Sequence, residues 1–147
     1  VTGVQTCALP IYIKNFISLV KTECNVYNVD LRLYPTKKIK IENGMTVGGY
    51  FEDFSRTKGV LACAMKHEFA IPLLVHEFSH MQQWIENSKV WSYGKYLDDV
   101  DRWLVGDDVK DIDEKINKIQ LLELDCERRA VKYILKYLVN LTPQLMG

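Results

Sequence analysis

Apolar residues recur at helical spacing from Tyr12 to Tyr27. Ile13, Phe16, Ile17, Val20 and Cys24 share one side and Lys14, Lys21 and Glu23 the other, which predicts an amphipathic helix ended by Asn25 to Asn28. Val29 to Tyr34 then alternates, with Val29, Leu31 and Leu33 set against Asp30, Arg32 and Tyr34. That is the period of a half-buried strand, and Pro35 closes it. A basic stretch from Thr36 to Glu42 and the turn signal Asn43-Gly44 lead to Val47–Ser55, the turn Arg56 to Gly59, and Val60–Met65. These last two runs read as a hairpin. The second is almost wholly apolar and, delivered by a short link to the helix that follows, is expected to lie along a cleft beside that helix. It passes through Lys66 to Ile71 into a helix expected over about 72 to 86, with Pro72 in the first turn and Leu73, Leu74, Val75, Phe78, Met81 and Trp84 as its apolar positions.

Residues 87 to 106 mix Trp91, Tyr93, Tyr96 and Trp103 with Asp98, Asp99 and Asp101, and read as a short helix over about 93 to 104 stopped by Gly106. Such aromatics can line a pocket, but packing on a core is their commoner use. Asp107, Asp108, Asp111 and Asp113 concentrate negative charge where a helix amino end favours it. The helix that follows is expected to reach about Asn140, ended by Thr142-Pro143. Ile116, Ile119, Leu122, Cys126, Ala130, Tyr133 and Tyr137 lie near one face, with Leu121, Leu124, Val131, Leu135 and Leu138 on an adjoining one, so it reads as broadly buried. Together these elements predict an α+β fold, a small antiparallel-rich sheet packed on the 72–86 helix and a long C-terminal helix.

A chain of 147 residues supports one core. Residues 1 to 11 (Val-Thr-Gly-Val-Gln-Thr-Cys-Ala-Leu-Pro-Ile) read as a translated short-read sequencing adapter and are set aside, leaving residues 12 to 147 as the expected single domain. Nineteen basic and nineteen acidic residues cancel, so charge gives no case for nucleic acid or an anionic membrane as partner. No run is long and apolar enough to cross a membrane. Cys7, Cys24, Cys63 and Cys126 form no C-x-x-C pair, which argues against a zinc ribbon or a disulfide scaffold and suits reduced thiols in the cytoplasm. Cys63 and Cys126, both in apolar segments, read as small buried hydrophobes.

The chemistry concentrates in His76-Glu77-Phe78-Ser79-His80, the pattern H-E-x-x-H within the apolar helix. On a helix, His76 and His80 are separated by about 40° and about 6 Å, so both imidazoles can reach one tetrahedral ion. Glu77, on the flank, is placed to take a proton from a water. The plainer alternative is a core helix with two hydrogen-bonded histidines. A catalytic zinc needs a further protein ligand, and the long helix offers Glu123, Asp125 and Glu127. Positions 123 and 127, four apart, share a face, whereas 125 points elsewhere; a solvated charged face with Arg128 and Arg129 is the competing reading. His67, the remaining histidine, reads as structural in its link, with substrate binding as the lesser use.

Two segments, His76 to His80 and Glu123-Leu124-Asp125-Cys126-Glu127-Arg128-Arg129-Ala130, resemble the gluzincin metallopeptidases. Within that group the chain is similar to short, uncharacterised metallopeptidase-like proteins of phage and bacterial genomes. The second segment is similar to the E-x-E-A-D-x-x-A of many gluzincins, and the resemblance covers about residues 60 to 140. It implies a zincin-like domain that hydrolyses peptide bonds in a peptide or protein substrate. It further implies zinc held by His76, His80 and Glu123, Glu77 as general base, and Glu127 as the acid that hydrogen-bonds a zinc-binding imidazole, where the family carries Asp or Asn. Nothing after His80 continues as the metzincin H-x-x-G-x-x-H. Two alternatives stay open: a regulatory protease specific for one repressor or DNA-bound protein, and a zinc-stabilised interaction protein without turnover, such as a phage accessory factor. Tyr93, Tyr96, His67 and Arg128 are the candidate oxyanion donors.

Overall fold

The computed structural model describes residues 10–138. Of the segment set aside above, only Pro10 and Ile11 fall within it. The Pro10 carbonyl accepts from the amides of Ile13 and Lys14, and Ile11 opens helix α1 (Ile11–Val26). The expected helix end at Thr142-Pro143 lies outside the described residues.

Six strand residues, Val29–Tyr34, form β1 with the bounds that their alternation predicts. The basic stretch after it carries a two-residue strand, β2 (Ile39–Lys40), paired antiparallel with β3 (Thr46–Val47) around the Asn43-Gly44 turn. The expected strand over 47–55 is therefore divided, and its longer part is β4 (Gly49–Ser55). Strand β5 (Lys58–Ala64) is central: it takes β4 antiparallel on one side and β1 parallel on the other, in the order β1-β5-β4. Paired on both edges, β5 is buried from Gly59 to Ala64, as its unbroken apolar run requires; it does not lie along the cleft as expected, and β4 takes that place.

Helix α2 (Ala70–Ile85) begins two residues earlier than expected. Pro72 sits in its first turn, where no amide is needed, and His67 turns the chain into it by accepting the Phe69 amide on Nδ1 at 2.9 Å. Its other end is tied to the β4–β5 turn, since Arg56 donates from Nη1 to the Trp84 carbonyl at 2.6 Å and the Trp84 indole donates to Ser55 O at 3.1 Å. A guanidinium there satisfies carbonyls that a helix end leaves open. The core gathers on α2: Leu74, Val75, Phe78 and Met81 are fully buried, and Phe78 meets Phe16 of α1 edge-on with ring centroids 5.7 Å apart.

The expected 93–104 helix is two elements, a 3₁₀ helix over Lys89–Tyr96 and α3 (Leu97–Leu104). Gly106, at φ +101°, ends α3 in the left-handed conformation that a glycine adopts without strain. Helix α4 (Ile112–Tyr133) follows and passes into a π-helical turn, Ile134–Leu138. Helix α2 thus lies between the sheet and α4, and the fold is α+β with a long C-terminal helix. No helix among the described residues is long and apolar enough to cross a membrane.

The reading of α4 as broadly buried needs correction. Leu122, Cys126 and Ala130 are buried, but Leu121, Leu124, Val131 and Leu135 are 40–57% exposed. Periodicity locates an apolar face, but among the described residues α4 packs against α2, the 3₁₀ segment and α3, which leave these side chains uncovered. Leu124→Lys is accordingly expected to change unfolding free energy by no more than ~0.5 kcal/mol, whereas Leu122→Ala should cost about 2–5 kcal/mol. Denaturant titration of the two variants checks this, and a Leu124→Lys loss as large as that of Leu122→Ala would mean the outer face is covered.

Candidate metal centre

His76 and His80 project from successive turns of α2 toward α4, with ring centroids 4.8 Å apart and planes at 90°. Helix α4 brings Glu123 between them. Its Oε2 lies 3.6 Å from His76 Nε2 and its Oε1 3.4 Å from His80 Nε2. One turn along α4, Glu127 Oε1 is 3.0 Å from His76 Nδ1. A carboxylate only accepts, so that contact keeps the proton on Nδ1 and leaves His76 Nε2 facing Glu123. The structure therefore brings His76, Glu77, His80, Glu123 and Glu127 together and gives the two glutamates different nitrogens.

Three residues around the histidines were not assigned to the site by sequence reasoning, although two of them, Trp91 and Cys126, were named for other uses. Gln83, read only as part of the helix, is fully buried and meets His80 Nδ1 at 2.8 Å through its side-chain oxygen. A buried amide three residues after His80 was the available signal. Trp91 is the aromatic of its stretch that borders the site, 5.9 Å from His80 and 5.7 Å from Phe51 between ring centroids. Cys126 is more than the small hydrophobe its sequence setting suggests. Its thiol lies 3.8 Å from His76 Nδ1 and donates to the His76 carbonyl at 3.3 Å.

Two donor sets consequently overlap. His76, His80 and Cys126 each offer an atom within 4.8 Å of the others. Glu123, in contrast, faces the Nε2 atoms of both rings. We favour the Glu123 set, because Cys126 contacts the Nδ1 side of His76, which Glu127 already engages, and its thiol proton is directed to a backbone carbonyl. Cys63 does behave as a buried hydrophobe: its thiol donates to Ala70 O at 3.4 Å, and burial, with Glu77 nearby, pushes its pKa up to about 12.

The groups of the cluster shift one another's proton affinities. Contact with Cys126 raises the His76 pKa to about 9 against the opposing effect of burial. Burial also works against the charge on His80, yet Cys126, Glu123 and Gln83 outweigh it and raise that pKa to about 11. The hydrogen bond with His80 holds Glu123 below the usual carboxylate range, with burial pulling the other way. A metal taking the two Nε2 atoms must displace protons, so uptake is favoured as pH rises. Burial pushes the Glu77 pKa upward, opposed by His80 and His76.

The site opens into a cleft of about 620 Å³ lined by β4 residues Phe51, Glu52 and Asp53, by Glu77, His80 and Glu123, and by Trp91 and Lys95. Gly48 and Gly49 allow β4 to run this close to α2. A Cβ at Gly48 would fall 2.6 Å from Leu73 Cδ1, and one at Gly49 would fall 2.9 Å from Ala62 O and 3.6 Å from Glu77 Cγ. Of the candidate oxyanion donors, none borders the cleft. Tyr93 and Tyr96 lie beneath Lys118 and Lys95, His67 caps the start of α2, and Arg128 is on the exposed side of α4. Compared with protein-family models, with curated protein sequences and with solved structures, the chain matches none.

Proposed function

We propose that this chain is a zinc metallopeptidase of the gluzincin kind, a minimal zincin-like domain hydrolysing peptide bonds in a peptide or protein substrate. One juxtaposition carries the reading: the Nε2 atoms of His76 and His80 both face the Glu123 carboxylate, within 3.4–3.6 Å, beside the Glu77 side chain in an open cleft. Two imidazole nitrogens and one carboxylate are the donor set of a catalytic zinc, which keeps a further position free. His76, His80 and Glu123 would hold the ion. When bound, zinc supplies Lewis-acid polarisation of the scissile carbonyl and acidifies water.

The remaining steps belong to the chain. Glu77 takes a proton from the attacking water as the carbon–oxygen bond forms, and returns it to the leaving amine as the carbon–nitrogen bond breaks. Glu127 and Gln83 hold the imidazoles in place. Among the described residues β4 pairs only with β5, so its other edge is open for an extended substrate backbone. Phe51 and Trp91 offer an apolar wall beside His80 for a neighbouring substrate side chain. The carboxylate of Glu77 favours turnover over a purely structural zinc, which has no need of a base beside its histidines. The free thiols of Cys24, Cys63 and Cys126 suit a reducing, cytoplasmic setting.

The purified chain is expected to hold about one zinc, and a chelator is expected to remove both the metal and the cleavage of a peptide library. Metal analysis after loading, paired with the digest, is the check. A loaded protein with no bound metal ends the reading, and full cleavage by the stripped protein ends the zinc mechanism.

A further inference from the structure

Gln83 is a fully buried polar side chain on the face of α2 that meets α4. A buried amide is tolerated only when its donors and acceptor are matched, and here every contact has a definite polarity. Gln83 Nε2 donates to the Leu122 carbonyl at 3.0 Å and to Asp125 Oδ2 at 2.8 Å. Both partners only accept. Rotating the amide by 180° would set oxygen against oxygen twice, so the orientation is fixed by chemistry. Asp125 is itself held by Arg129 Nε at 2.8 Å, and Arg129 grips Glu86 with both terminal nitrogens at 2.6 and 3.2 Å. The connection Glu86–Arg129–Asp125–Gln83 thus ties the end of α2 to α4 and aims one atom, Gln83 Oε1, at His80 Nδ1 from 2.8 Å.

We propose that Gln83, aimed by Asp125 and the Leu122 carbonyl, is the positioning residue that keeps a proton on His80 Nδ1 and so presents His80 Nε2 to the zinc site. The proposal builds on the zinc reading above, and it gives Asp125 a role although its side chain does not face the ion. The two imidazoles are oriented by different means. His76 has the exposed carboxylate of Glu127, whereas His80 has a neutral, buried amide that fixes the ring without adding charge beside the ion.

The first measurement uses the unmutated chain loaded with zinc: nitrogen-15 correlation spectra of the imidazole rings report which nitrogen of His80 carries hydrogen. Hydrogen on Nδ1, with a coupling to the Gln83 side chain, is expected; ligation of zinc through His80 Nδ1 overturns the proposal. The second measurement is chelator competition on variants. Gln83→Met keeps length and volume but loses the acceptor, and should weaken zinc binding about 10 to 100-fold. Asp125→Asn keeps one oxygen able to accept from both Gln83 Nε2 and Arg129 Nε, so it should hold affinity to within about threefold of the parent. Parent-like affinity in Gln83→Met, or a loss in Asp125→Asn as large as that in Gln83→Met, counts against the role. A parent chain that takes up no zinc instead defeats the zinc reading, and the coupling between His80 Nδ1–H and the Gln83 side chain is then sought in the metal-free protein, where its absence defeats this proposal separately.

Discussion

Glu77→Gln is expected to retain zinc and fold while losing at least ~100-fold in turnover, because a positioned general base contributes about 10² to 10⁴. The substitution is nearly isosteric and removes the one function the mechanism asks of this side chain, proton transfer. Its setting sharpens the expectation. Burial already raises the proton affinity of Glu77, and a neutral amide there avoids burying a charge, so the variant should melt no lower than the parent. Zinc content, melting temperature and kcat on a cleaved peptide, all from one preparation, separate lost chemistry from lost structure. Parent-like kcat in a zinc-loaded Glu77→Gln protein would remove Glu77 from the reaction.

The second large effect is the difference in kind between Glu123 and Glu127. Glu123 faces the Nε2 atoms at 3.4 and 3.6 Å, so Glu123→Ala removes a bond to the ion and should nearly abolish zinc retention. Glu127 touches His76 Nδ1 at 3.0 Å from an exposed position, and Glu127→Ala should weaken affinity only ~10 to 100-fold. Cys126→Ser completes the comparison, with affinity expected near that of the parent. Chelator competition at one pH ranks the three. If Cys126→Ser loses the metal and Glu123→Ala keeps it, sulfur is the ligand and the donor set must be redrawn; if Glu127→Ala is the variant that fails, the glutamates exchange roles.

Local pattern carried much of the architecture. Alternation over Val29–Tyr34 delimits β1 to the residue, and the unbroken apolar run ahead of α2 belongs to the central strand. The i, i+4 spacing of His76 and His80 places both rings on one side of α2 because helix geometry is local and rigid. The spacing of Glu123 and Glu127 likewise puts both on the side of α4 that meets those rings. Elsewhere the pattern was ambiguous for a physical reason. In the 89–104 stretch a 3₁₀ segment breaks the helical period, and across residues 46–55 the paired glycines divide one expected strand into two short pieces.

The sequence by itself determined α1, β1, the hairpin strand before α2, α2 and α4, together with the histidine pair and its glutamate and the acids placed on α4, since each depends on residues a few positions apart. Tertiary structure decided what meets what. The contacts that give each imidazole its orientation join residues 51 apart for His76 and Glu127, and 42 apart for the Gln83–Asp125 bond behind His80. They exist only because α2 docks on α4 in one register. The same docking covers Cys126 against His76 while leaving Leu121, Leu124, Val131 and Leu135 outside, although their periodicity is equally apolar. Parallel pairing of β1 with β5 is also a long-range choice, made by which edge of the buried strand remains open once β4 has folded back on the other.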